Sequence, residues 1–151
     1  MRAIGLVLVV AAGFSLAGLS VAMPARDPAS RSATVSTART GLGQIIVDGR
    51  GRTLYLFEKD KHGHSACSGT CAVYWPPLLT HGKPMARGGA KQSLLGAIKR
   101  PNGKRQVTYA GHPLYRFFQD TKRGQTKGEG SQAFGAGWDA LSPAGKKIER
   151  G

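Results

Sequence analysis
Thr53-Leu54-Tyr55-Leu56-Phe57-Glu58-Lys59-Asp60 decides the fold, because Pro113-Leu114-Tyr115-Arg116-Phe117-Phe118-Gln119-Asp120 repeats it. Leu, Tyr, Phe and Asp return in the same order, Tyr55 as Tyr115 and Asp60 as Asp120. Leu54 and Leu56 alternate with Tyr55 and Phe57, so both faces are apolar, the pattern of a strand covered on both sides. Upstream, Gln44–Asp48 reads as a strand and Asp48-Gly49-Arg50-Gly51 as the reversal into the repeat. In the second half, Pro101-Asn102-Gly103-Lys104 is a turn between Ser93–Arg100 and the strand-like Gln106–Tyr109. Gly111-His112 then leads into Pro113–Phe118, and Pro113 suits a strand start or an edge. Trp75-Pro76-Pro77-Leu78 is echoed by Trp138-Asp139-Ala140-Leu141.

Each half therefore runs hairpin, Tyr-x-Phe-x-x-Asp, polar loop, Trp-x-x-Leu. The expected fold is all-β: a small antiparallel β module of two pseudo-symmetric, hairpin-containing repeats, about residues 41–80 and 93–145, within a domain spanning 41–151. Little helix is expected outside the leader.

Residues 4–22 are almost wholly apolar, follow Arg2 and end Ser20-Val21-Ala22, the pattern of a signal peptide over 1–22 cleaved after Ala22. An uncleaved N-terminal membrane anchor is the alternative, since the run nears the ~20 residues of a spanning helix. No Cys follows the run to take a lipid; the two cysteines are Cys67 and Cys71. Residues 23–40 are rich in Pro, Ala, Ser, Thr and Arg, with no apolar period, and read as a flexible linker. The expected location is periplasmic or secreted, with no membrane span once the leader is gone. The formal charge of +14 favours anionic partners. Export turns that preference from nucleic acid toward lipid headgroups, lipopolysaccharide and wall polymers. Oligomeric state is not legible.

Tyr55–Asp60, Cys67-Ser-Gly-Thr-Cys71-Ala72 with Trp75–Leu78, and Val107–Tyr115 together resemble the bacterial "secreted repeat of unknown function". Its members are described as lipoproteins with a Tyr-x-aromatic-x-x-Asp motif. The resemblance covers about residues 41–145. It implies an exported β-rich module, often in tandem pairs, with Tyr55, Phe57, Asp60, Trp75, Tyr115, Phe117, Asp120 and Trp138 carrying the motif. It implies no reaction.

Two cysteines in an exported chain read as a disulfide, Cys67–Cys71. The Cys-x3-Cys spacing with Ala72 after it fits neither the redox nor the c-type haem motif. The alternative is copper or zinc handling by His62, His64, Cys67, Cys71, His81 and Met85, a mixture of imidazole, thiolate and thioether. Asp60 and Asp120 read as turn formers that accept backbone N–H groups. The alternative makes them the acid and base of an enzyme of unknown reaction. No nucleophile elbow, phosphate loop or His-Glu-x-x-His is present, so a non-enzymatic role without a cofactor is expected. The basic loops carry Lys99, Arg100, Lys104, Arg105, Lys122, Arg123 and Lys127, the candidate anion-binding residues.

Overall fold
A computed structural model describes residues 31–61 and 63–149. The signal peptide, the first part of the linker and His62 lie outside these. The strands are β1 (Thr34–Thr40), β2 (Gly43–Asp48), β3 (Tyr55–Phe57), β4 (Met85–Ala86), β5 (Leu95–Lys99), β6 (Arg105–Tyr109), β7 (His112–Pro113) and β8 (Trp138–Ala140). One helical turn, α1 (Thr70–Tyr74), and short 3-10 turns at Gln92–Leu94 and Ala133–Gly135 complete them. The module is mainly antiparallel β, as its alternating and β-branched segments require. The exception is the parallel contact of β1 with β4.

The reading of 23–40 as a linker is corrected at its end. Thr34–Thr40 is a strand paired along its whole length with β2, from Val35 opposite Asp48 to Thr40 opposite Gly43. Its composition hid it. Val35 is its one fully buried residue, while Thr34, Thr37 and Thr40 are half-buried and suit a pleated surface. The first repeat thus opens with a hairpin, β1–β2, that matches β5–β6 in the second.

The halves interlock at their matched residues. Tyr55 N–H donates to Tyr115 O at 2.9 Å and Tyr115 N–H to Tyr55 O at 3.0 Å. A residue that pairs with its own counterpart marks a local two-fold relation. The surrounding ladder obeys it: Tyr55 also faces Ala140 in β8, as Tyr115 faces Pro77. Likewise, Ile46 N–H donates to Leu141 O and Val107 N–H to Leu78 O. Each Tyr strand is completed by the opposite half, so neither repeat closes its sheet alone.

Side chains follow the same rule. Phe57, Trp138, Trp75 and Phe117 form a four-ring stack. Its inner indoles lie 3.9 Å apart at 8°. Phe57 lies 4.0 Å from Trp138, and Phe117 lies 4.4 Å from Trp75 at a 36° tilt. Tyr55 meets Trp75 edge-on at 5.4 Å and Tyr115 meets Trp138 edge-on at 5.2 Å. Such pairs add about 0.5–1.5 kcal/mol each beyond area burial. Trp75 sits at the centre of the aromatic core just after α1, whereas Trp138 reaches the same place from β8. A second, aliphatic cluster of Val35, Ile46, Leu54, Leu56, Leu78, Val107, Leu114 and Leu141, with Tyr109, fills the other side of β3.

Candidate functional site
The Tyr and Asp of the repeated motif meet across the halves. Tyr55 Oη donates to Asp120 Oδ2 at 2.5 Å, and Tyr115 Oη to Asp60 Oδ2 at 2.7 Å. The other oxygen of each carboxylate accepts a backbone N–H of its own loop, Lys127 on Asp120 and Ala66 on Asp60. The motif spacing thus serves two ends: Tyr reaches out of a strand, and Asp folds the next loop back over the partner's Tyr. Burial pushes both carboxyls above the usual range, against the pull of these hydrogen bonds. Burial, reinforced by the neighbouring carboxylates, also pushes both phenols well up, so they stay protonated donors.

Each crossing brings a turn of one repeat against the post-Asp loop of the other. At the Tyr55–Asp120 crossing the turn after β2 meets residues 121–125. Thr53 Oγ1 donates to Gln125 O at 2.7 Å, and Gly124 N–H to Gly51 O at 3.3 Å. Gly51, at φ +81°, lets the Arg123 stem lie against it; a Cβ there would stand 3.0 Å from Arg123 Cγ. The result is an open pocket of about 500 Å³ lined by Arg50, Arg52, Thr121, Lys122 and Arg123.

Asp48 builds that turn from below. It is 2% exposed. Its Oδ1 accepts the N–H groups of Arg50 and Arg52. Its Oδ2 accepts Arg52 Nε at 3.3 Å and Arg116 Nε at 2.6 Å. Burial pushes the Asp48 carboxyl up, but these bonds outweigh it and leave the group below its ordinary value. An ionised carboxylate therefore anchors the half-buried side chains of Arg52 and Arg116.

The matching crossing, Tyr115–Asp60, carries different chemistry on the same plan. Its pocket, also about 500 Å³, is lined by Glu58, Asp60, Lys61, Gly111, His112 and Pro113. Burial lowers the His112 pKa and the nearby Asp60 opposes it. Ser65 Oγ shares a hydrogen bond with Tyr115 Oη at 2.7 Å and accepts Arg100 Nη1 at 2.9 Å.

A family model described as a secreted repeat of unknown function matches residues 36–79 and 96–142, more than half the chain. The chain belongs to this family. The two matches begin inside β1 and β5, so each secreted repeat includes the first strand of its hairpin. Comparison with curated proteins and with solved structures gives no significant match. Export is a property of the family and accords with the apolar leader. Among the described residues no helix is long and apolar enough to cross a membrane.

In this secreted repeat Cys67 and Cys71 form a disulfide across the start of α1. Cys67 is fully buried, and its carbonyl accepts Arg100 Nη2 at 2.6 Å. The bond takes both thiolates from the copper or zinc set. His64 is exposed beside the Lys61 bridge, His81 lines a different, basic pocket, and Met85 is exposed on β4. Among the described residues no group of three or more His, Cys, Asp or Glu is placed to hold a metal ion.

Arg100 is the second correction. It stands among the expected surface anion binders, yet it is 7% exposed and its guanidinium is spent on Gln106 Oε1, Ser65 Oγ and Cys67 O. It ties the β5–β6 turn to the disulfide loop. Lys99, Lys104, Arg105, Lys122, Arg123 and Lys127 are exposed. Lys104 and Arg105 line the pocket that holds His81, about 440 Å³. Arg50 and Arg52 were missed as pocket residues. The signal was two arginines flanking a Gly in an Asp-initiated turn, which places both on one exposed reversal.

Proposed function
We propose that this secreted repeat is a non-enzymatic envelope-binding module that takes phosphate-bearing anionic surfaces at the Arg50–Arg52–Lys122–Arg123 pocket. The carrying observation is that four cations from two halves converge on one open pocket above a buried Asp48 that holds Arg52 in place. Guanidinium groups match phosphate oxygens in a bidentate fork, and a pre-set turn lowers the entropy lost on binding. The net charge of +14 adds a long-range attraction that salt screens. Lipid headgroups, lipopolysaccharide and phosphate-bearing wall polymers share the recognised chemistry. The paired carboxylates give less support to catalysis, because Asp60 and Asp120 each already hold a Tyr hydroxyl and a backbone N–H.

The test compares two variants with equal charge loss. Arg50→Ser/Lys122→Ser/Arg123→Ser removes three of the pocket's four cations, and Lys83→Ser/Lys91→Ser/Lys99→Ser removes exposed charge elsewhere. Binding to polyphosphate, read by anisotropy at low salt, falls much further in the first. Equal losses would reduce the pocket to diffuse charge.

A further inference from the structure
The described residues with large exposed apolar side chains are Val73, Tyr74, Met85, Phe118 and Phe134, and the rings of Tyr74, Phe118 and Phe134 come together on one face. Val73 is 69% exposed, Phe118 47%, Tyr74 41% and Phe134 39%. Tyr74 meets Phe118 edge-on at 4.9 Å and Phe134 at 6.1 Å. Tyr74 O accepts Phe118 N–H at 2.9 Å, which fixes α1 against the second repeat. With Phe117 and Trp75 behind them, these rings line a shallow apolar groove of about 330 Å³. Phe134 is held outward with its backbone at φ +63°, a region a phenylalanine rarely adopts. The Trp138 indole N–H, donating to Ala133 O at 2.8 Å, anchors that turn to the core. Ridge and groove are therefore built on the rigid aromatic stack, not on a loose loop.

Charge names the occupant. Phe118 runs directly through Gln119 and Asp120 into the basic loop holding Lys122, Arg123 and Lys127. Apolar side chains and cations on one continuous segment are the two contacts an anionic bilayer offers, acyl boundary and headgroup. Tyr and Phe are also suited to the interfacial level. We infer that the Tyr74–Phe118–Phe134 face is a membrane-docking wedge that enters the headgroup region of an anionic lipid bilayer. The neighbouring Lys122, Arg123 and Lys127 bind lipid phosphates. This rests on the anionic-surface reading above and narrows its partner to lipid.

The test uses exported protein, checked by mass for loss of the apolar leader, and the variant Phe118→Ser/Phe134→Gly. The glycine relieves the positive φ, so the fold is not endangered at that position. Flotation is measured with phosphatidylglycerol-rich and with pure phosphatidylcholine vesicles. Polyphosphate binding and sedimentation mass are measured alongside. Wild type floats with the anionic vesicles and keeps part of that binding at about 0.5 M salt, where surface charge is screened. The variant loses binding at least roughly tenfold, and its polyphosphate affinity is unchanged. Equal flotation of variant and wild type overturns the wedge while leaving the phosphate pocket standing. So does a wild-type dimer that the variant breaks, since the face then belongs to a second copy. Wild type that binds neither vesicles nor polyphosphate at low salt overturns the anionic reading itself, and the wedge with it.

Discussion

The two crossings share a backbone and differ in everything they show to solvent. At one, Tyr55 and Asp120 lie under Arg50, Arg52, Lys122 and Arg123. At the other, Tyr115 and Asp60 lie beside Glu58, Lys61 and His112. The Tyr–Asp bond, the Tyr55–Tyr115 pairing and the ring stack are common property, because each half needs the other's residues to close its core. The turns above them make no such demand. Duplication here fixes the inside and leaves the two outsides free to differ, so function is to be sought where the halves disagree.

The broadest challenge to that view is to the shared core. Trp75→Ala and Trp138→Ala each remove an inner ring of the stack and cost about 3–5 kcal/mol. Chemical unfolding followed by both fluorescence and circular dichroism should show one transition in each variant. Two transitions, with one half outlasting the other, would mean that the repeats fold separately.

Next come the loops, where the halves use different braces for the same task. The first loop is pinned by Cys67–Cys71. Cys67→Ser/Cys71→Ser should cost about 2 kcal/mol by the chain-entropy account of so short a ring. In the second, Gly128 lies flat on Trp75 and Phe117, and a Cβ would stand 2.7 Å and 3.0 Å from them. Gly128→Ala should cost about 1–3 kcal/mol from overpacking. A neutral Gly128→Ala would show that the second loop yields where the first cannot.

Most of the interior could be read from the chain, and most of the exterior could not. Alternation at Leu54–Phe57 showed a doubly covered strand, and the return of Tyr, Phe and Asp at Tyr115–Asp120 showed two halves. Which Asp a given Tyr would meet was hidden, since either pairing satisfies the spacing. Thr34–Thr40 was hidden because a half-buried strand needs few apolar residues. Arg100 looked like a surface charge beside a Pro-Asn-Gly turn. Its partners Ser65 and Cys67 come from thirty-odd positions away, beyond any local pattern. Arg50 and Lys122 converge only because the halves cross.

The hydroxyls separate the crossings more finely. Tyr55→Phe leaves Asp120 buried without its side-chain donor and should cost about 1–3 kcal/mol. Tyr115→Phe should cost less, because Asp60 is only half-buried and can draw on water. Thermal melts of the two variants give the order, and a larger loss at Tyr115 would reverse the assignment of the tighter crossing.

The smallest effect is the slope with pH, and it asks whether the crossings are electrostatically alike. Burial raises both Asp60 and Asp120 above the ordinary value of 3.8. A carboxyl raised in the folded state contributes stability below its unfolded pKa and loses that contribution as pH rises through the folded one. Asn does not titrate. The melting deficits of Asp60→Asn and Asp120→Asn against wild type should therefore both be largest in acid and shrink toward neutrality. Asp48 is the internal control, since its pKa is lowered and its contribution is present above 3.8 and lost in acid. The deficit of Asp48→Asn should grow with pH over the same range. If Asp60→Asn followed Asp48→Asn instead of Asp120→Asn, the His112 side of the molecule would hold its carboxylate charged for a purpose of its own. The search for chemistry would then move from the arginine pocket to the histidine one.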